Sequence, residues 1–297
     1  MASMKELRTR ISSVKNTQQT TRAMKLVSAA KLRRAQDAIV NNRPFAKKVG
    51  DLIRLVSSMH QSSVESPLIL GRYGKARSDT RLMLVLVSSD RGLCGNFNGS
   101  IIKAASRWVD ENGRQYKSVE FAFVGRKAMD FFKNRGVKAA YFQEFGRTVT
   151  FERTDEIIQW IVEGFEADKF DEVKFVYNEF KNAMVQGVVV EHFLPVAPEK
   201  VNLAQPGTRN PDTYIVRPSQ REILARLLEK HFTIQAYRIL LESQASEHGA
   251  RMVAMENATK NAGEMIRGLT LHYNKQRQAA ITRELLEIIA GAESQKG

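Results

Sequence analysis

A chain of 297 residues with 43% hydrophobic content is long enough for two structural units and a sizeable core. No apolar run reaches the roughly 18 residues that a transmembrane helix needs, and the single cysteine, Cys94, excludes an internal disulfide and a cysteine-built zinc site. The net charge of +14 is concentrated at one end. Residues 1–50 carry twelve Lys and Arg against Glu6 and Asp37 alone, which implies an acidic partner: nucleic acid, an anionic membrane face or acidic protein loops.

Met1 to Lys5 lack the apolar core of a secretion signal. The stretch is basic and acid-poor, as a transit peptide would be, but a helical seam begins at Met4, so it reads as mature structure. Met4, Leu7, Ile11 and Val14 step by three and four, and Thr17, Thr21, Met24 and Ser28 read as a smaller continuation. Small residues there would let a partner helix approach closely. Ser3 and Glu6 fit a capping box. Pro44 predicts a bend or break near Arg43, after which Ala46, Val49, Ile53 and Val56 resume helical spacing.

The middle of the chain alternates strands and helices. Arg81–Ser89 reads as a buried strand, Ile101 to Val109 as a helix, Ser118–Val124 as a strand, Lys127–Asn134 as a helix and Val137–Phe142 as a strand. Glu156–Glu166 is a third helix with Ile157, Ile158, Ile161, Val162 and Phe165 inward. Glu172–Phe180 and Val185–Val196 form a hairpin through Lys181 to Met184. This order predicts a Rossmann-like α/β domain with a mostly parallel five-stranded sheet and one antiparallel edge. The linkers are Gln61–Thr80 and the proline-rich Pro195–Pro218.

The chain closes on Pro218–Gly297, with no proline after Pro218. Leu224, Leu227, Ile234, Leu241, Ala245, Met252, Met255, Ala262, Ile266, Leu269, Tyr273 and Ala280 share one register of alternating three and four. Such a helix would be roughly 100 Å long and needs an equally long partner. The economical partner is the N-terminal helix, in an antiparallel coiled coil. The division is therefore 1–60 and 213–297 as coil and 78–197 as the α/β domain. Ile281, Leu285, Ile288 and Ala292 sit one position off the register, so the tip would meet a different neighbour.

Few residues suggest chemistry. Asp90–Asn98, a glycine-bearing loop after a strand, could cradle phosphate, but it lacks the Gly-Lys-Ser/Thr ending of a P-loop and the three-glycine dinucleotide spacing. The plainer reading is a tight turn with Asn96 or Asn98 capping the next helix. Cys94 has no histidine nearby in sequence to act as its base, and reads as structural. His231 and His248 fall on the seam, where polar residues set register, and no histidine pair has metal-ligand spacing. Glu152, Asp155 and Glu156 open a helix and favour its dipole. The basic run Lys25, Lys31, Arg33 and Arg34 has no interleaved aromatics on which bases could stack. Electrostatic contact with acidic loops suits it better. A basic nucleic-acid-binding coiled coil and a Rossmann-like enzyme stand as the rival readings.

The segments Ile11–Gln36, Ser246–Ala262 and Tyr273–Ala292, with the loop Asp90–Asn98, closely resemble the gamma subunit of the F-type ATP synthase over nearly the whole chain. The cysteine-bearing insertion that resembles the chloroplast redox switch is absent, and the start at Met1 looks bacterial. The resemblance implies a non-catalytic rotor shaft, with no cofactor of its own, that turns inside an alpha3beta3 ring. Its α/β domain would meet epsilon and the membrane c-ring, where proton flow supplies torque, and catalysis would occur on beta. The chain would lie at the cytoplasmic face of the inner membrane, peripheral to it. By matched position, Met24, Lys25, Lys31, Arg33 and Arg34 would face the mobile beta domains, Arg277, Gln278 and Thr282 the beta catch loops, and Tyr214 and Arg217 the foot beside the c-ring. Relatives often carry an acid where Arg217 stands.

Overall fold

The computed structural model describes residues 4–58, 68, 76–182, 185–195, 217 and 219–294. In chain order the elements are α1 (Met4–Ser58), β1 (Arg81–Val87), α2 (Phe97–Asn112), β2 (Ser118–Val124), α3 (Arg126–Lys133), β3 (Ala139–Gln143), α4 (Phe151–Glu166), β4 (Glu172–Phe180), β5 (Gln186–Leu194) and α5 (Gln220–Ser294). The chain divides into two compact units. One comprises Met1–Ser28 with Arg251–Gly297, and the other Ala29–Ala250.

The larger unit is built on a five-stranded sheet in the order β3-β2-β1-β4-β5. β1 pairs in parallel with β2 and β4, β2 with β3, and only β4 and β5 run antiparallel. The sheet is therefore mostly parallel with one antiparallel edge, as predicted. The hairpin closes where the Asn182 N–H donates to the Val185 carbonyl and the Val185 N–H to Asn182 Oδ1, at 3.2 and 2.7 Å.

Side-chain alternation splits the sheet between two cores. Leu84, Leu86, Phe121, Phe123 and Val176 face α2 and α3 through Ile101, Ala105, Ala128 and Phe132. Met83, Val85, Val87, Val173 and Phe175 face the other way, against Ile157, Ile161 and Phe165 of α4 and Leu228, Phe232, Ile239 and Leu240 of α5. Val49, Ile53 and Val56 of α1 join this second core. Here the single-seam reading of α5 needs correction. Leu224, Ile234, Leu241 and Ala245 are buried as expected, but so are Phe232, Thr233, Ala236 and Ser243 between them. A helix laid on a sheet face buries a broad surface, whereas a coil buries only a stripe.

α1 also differs from expectation at Pro44. The helix runs without interruption from Met4 to Ser58 with Pro44 inside it. Proline deletes one backbone donor, and the long flanking turns, anchored by buried Leu32, Ala35, Val49 and Ile53, outweigh that loss. Capping box residue Ser3 lies outside the described residues.

Candidate interaction surface of the two-helix unit

In the unit formed by the chain ends, α1 and α5 run antiparallel. Gln18 Nε2 donates to the Thr259 carbonyl at 3.4 Å, the Thr21 and Thr259 hydroxyls lie 2.8 Å apart, and Lys25 Nζ reaches Glu256 Oε1 at 2.6 Å. Positions rise on α1 as they fall on α5, which fixes the direction. Leu7, Thr21, Met255 and Ala262 are buried, and Ile11, Val14, Ile266, Leu269 and Tyr273 half-buried, so the seam closes as expected. One position is corrected: Thr17 is exposed and Gln18 occupies the seam. Strict alternation from Val14 gives Gln18, Thr21, Lys25 and Ser28, and that signal was available in the sequence. Thr17 points its hydroxyl back to the Ser13 carbonyl at 3.1 Å, which satisfies it on the outer face.

The same register places Met4 near Gln276. Residues of α5 beyond about Ala280 therefore extend past the start of α1. Ile281, Leu285, Leu286, Ile288 and Ile289 are each about half exposed or more and lie along one broad side of the helix. The tip thus carries exposed apolar side chains beyond the end of the two-helix seam.

The residues assigned by resemblance do not converge on one site. Met24 and Lys25 are half-buried in the coil, and Lys25 is engaged by Glu256. Arg277, Gln278 and Thr282 are exposed and lie about twenty residues beyond Glu256 along α5, roughly 30 Å away. The Thr282 hydroxyl donates back to the Gln278 carbonyl at 2.9 Å. Lys31, half-buried, and Arg33 and Arg34, both exposed, belong to the larger unit. Arg217 is exposed, and Tyr214 lies outside the described residues. The sequence reading missed Glu256, Thr259 and Gly263, whose importance depends on what α1 sets opposite them.

The larger unit contains the place where a doubly wound sheet holds a ligand, the carboxyl ends of strands at the change of winding direction. The chain's own carboxylate ties together the loops on the β2 and β3 side of β1, away from the β1–β4 change of direction. Asp90, just beyond β1, accepts from the Arg126 N–H at the start of α3 (3.0 Å), the Phe145 N–H (3.1 Å) and the Gly146 N–H (2.7 Å). These donors, at a helix N-terminus and a loop, are those a phosphate would use. Asn98, expected as a cap, instead accepts from the Ser89 N–H at 3.0 Å and donates to Cys94 Sγ at 3.2 Å. Asn96 stands at the cap position of α2 without a side-chain cap bond. Cys94 is buried. Gly125, at φ +103, has no alternative, because a Cβ there would stand 2.0 Å from the Ser88 carbonyl oxygen.

Charged groups in this unit fasten elements together. Asp155 accepts from the Thr233 hydroxyl at 2.7 Å and joins α4 to α5, beyond any dipole effect. Arg238 of α5 binds both Glu191 oxygens of β5, at 2.8 and 3.0 Å, and reaches the Tyr177 hydroxyl at 3.3 Å. Burial pushes the Tyr177 phenol up. Burial also pushes Glu172 up, but hydrogen bonds from His192 and Lys174 more than offset it and lower its pKa to about 2. Burial pushes the His231 imidazole down. Among the described residues no group of three His, Cys, Asp or Glu side chains could hold a metal ion, and no helix is long and apolar enough to cross a membrane.

An antiparallel pair of long end helices and a doubly wound domain define the class, an α/β protein whose chain ends form a coil. A family model described as ATP synthase matches residues 3–294. The ATP synthase gamma chain of Geotalea uraniireducens is 47% identical over 298 residues, covering all of both chains, and that of Bdellovibrio bacteriovorus is 44% identical over 301 residues with the same coverage. Among solved structures, a chain in the central stalk and c-ring of the Tetrahymena thermophila mitochondrial ATP synthase matches with TM-score 0.57 and 26% identity, covering 80% of this chain and 99% of that one. A chain of the Euglena gracilis mitochondrial ATP synthase shares the fold, with TM-score 0.65 at 20% identity, covering 98% of this chain and 94% of that one. This chain belongs to the ATP synthase gamma-chain family, the non-catalytic central-stalk subunits.

Proposed function

We propose that the two-helix unit is the torque-bearing part of a rotor shaft that turns within an alpha3beta3 ring, with epsilon and the c-ring as its other partners. One observation carries this reading. The coil is complete on its inner seam, yet its apolar tip from Ile281 to Ile289 is exposed. A monomeric soluble protein seldom leaves such a surface uncovered. In this reading the segments 1–60 and 213–297 form the shaft and 78–197 the folded body, with residues 29–58 and 220–250 of those segments packed into the body's unit. Arg277, Gln278 and Thr282 engage the catch loops of beta at one level, and Met24 and Lys25 meet its mobile domains at another. Lys31, Arg33 and Arg34 face acidic loops, Tyr214 and Arg217 form the foot by the c-ring, and the complex sits at the cytoplasmic face of the bacterial inner membrane. Catalysis belongs to beta, so the purified chain hydrolyses no ATP.

The test is co-purification. A tagged chain brings down alpha, beta and epsilon in fixed ratio, and recovery of the chain alone from cells that assemble the complex sinks the proposal. Substituting Arg277 and Gln278 together by Ala lowers coupled ATP synthesis severalfold at unchanged melting temperature. An unchanged rate removes those two residues from the interface.

A further inference from the structure

An apolar seam is attractive but not directional, and its pattern repeats every seven residues, so by itself it leaves two helices free to slide. The flanks of the two-helix unit are of that kind: Leu7, Ile11 and Val14 on α1, and Ile266, Leu269 and Tyr273 on α5. Its middle is not. Gln18, Thr21 and Lys25 meet Thr259 and Glu256 through the three polar links given above. Each hydroxyl also lies within reach of a carbonyl of its own helix, Thr21 of Gln18 at 3.0 Å and Thr259 of Met255 at 2.7 Å, and either can donate across the 2.8 Å contact between them. Thr21 is 9% exposed. A Cβ on residue 263 would stand 3.0 Å from Gln18 Nε2, so glycine there lets the glutamine keep its position without a shift of a few tenths of an ångström.

We infer that Gln18, Thr21, Lys25, Glu256, Thr259 and Gly263 form an axial lock that fixes the sliding position of α1 against α5. Displacement by one heptad sets Thr21 opposite Met252 or Ile266. Its hydroxyl would keep the Gln18 carbonyl of its own helix, 3.0 Å away, but all three cross-helix links would be lost, and each lost hydrogen bond is a net cost. Thr21 is buried and Thr259 half-buried, while the Lys25–Glu256 bridge, with side chains 35% and 56% exposed, adds little. These six are positioning residues. The inference rests on the two-helix geometry alone, so it stands or falls separately from the rotor reading.

The full chain, carrying Cys94→Ser, receives nitroxide labels at Arg10→Cys and Leu271→Cys, both exposed sites in this unit. Pulsed electron spin resonance should give one narrow distance. Thr21→Val with Thr259→Val should at least double the width or add a displaced population, and Thr21→Ser with Thr259→Ser should restore the single narrow distance. A valine pair as narrow as the parent overturns the lock. If the valine pair loses helical circular dichroism, Gln18→Ala with Glu256→Gln replaces it. That variant should broaden the distance by a smaller factor, and an unbroadened distance overturns the lock.

Discussion

The body and the two-helix unit of this protein use the same two helices under different rules. In Ala29–Ala250, α5 is buried on most sides between residues 232 and 249, and its partners come from strands, α4 and α1. In the other unit, α5 buries a stripe, held by small and polar side chains, and leaves its other faces to solvent. The difference separates two tasks. A broad apolar surface stabilises a fold but cannot be shared with a partner. A narrow seam holds two helices together and keeps the outside available for recognition.

The largest effect should come from the body. Phe165 is fully buried, and Phe165→Ala should cost about 3–5 kcal/mol in denaturant unfolding. Leu269→Ala, in the half-buried seam, should cost about 1–2 kcal/mol. Equal losses would erase the contrast between the regions.

Asp90→Ala comes next. It leaves three backbone N–H groups without their carboxylate and should cost about 2–4 kcal/mol. Calorimetry with ATP should show no binding to the native chain, because Asp90 already occupies those donors. Tight ATP binding there would make the body a ligand domain after all.

Acid should also weaken the body through Glu172. Its pKa is about 2 in the fold against 4.5 for an ordinary glutamate. A depressed carboxylate contributes stability that is present above the unfolded value and lost as pH falls through the folded one. The loss therefore runs between about pH 4.5 and about pH 2. Melting curves should show a flatter acid limb for Glu172→Gln than for the parent, and parallel limbs would dismiss the ion cluster.

The smallest effect belongs to the coil. Glu256→Gln removes a largely exposed bridge and should cost about 0.2–1 kcal/mol, less in high salt. A salt-insensitive loss of several kcal/mol would show that the coil depends on charge as the body depends on burial.

Much of this arrangement was legible in the sequence. The apolar run Leu82–Val87 could only be a buried strand, and the three-and-four spacing from Leu7 to Val14 and from Met255 to Tyr273 could only be a helix seam. The parallel order with one antiparallel edge followed from elements alternating along the chain. The basic excess in residues 1–50 was equally visible, and so was the off-register tip beginning at Ile281.

Local pattern could not supply what depends on residues far apart in sequence. Asp90 read as part of a tight turn, and only the fold set its carboxylate against backbone groups after β2 and β3. Asp155 looked like a helix-dipole acid until Thr233 was set against it. Pro44 carried a strong local signal for a break, and packing along the rest of α1 overrode it. The sequence alone determined the elements and their apolar faces, because periodicity is a property of a single segment. The tertiary structure decided which of those faces stays uncovered and which polar groups meet, because a hydrogen bond or a buried stripe exists only once two distant segments have been brought together.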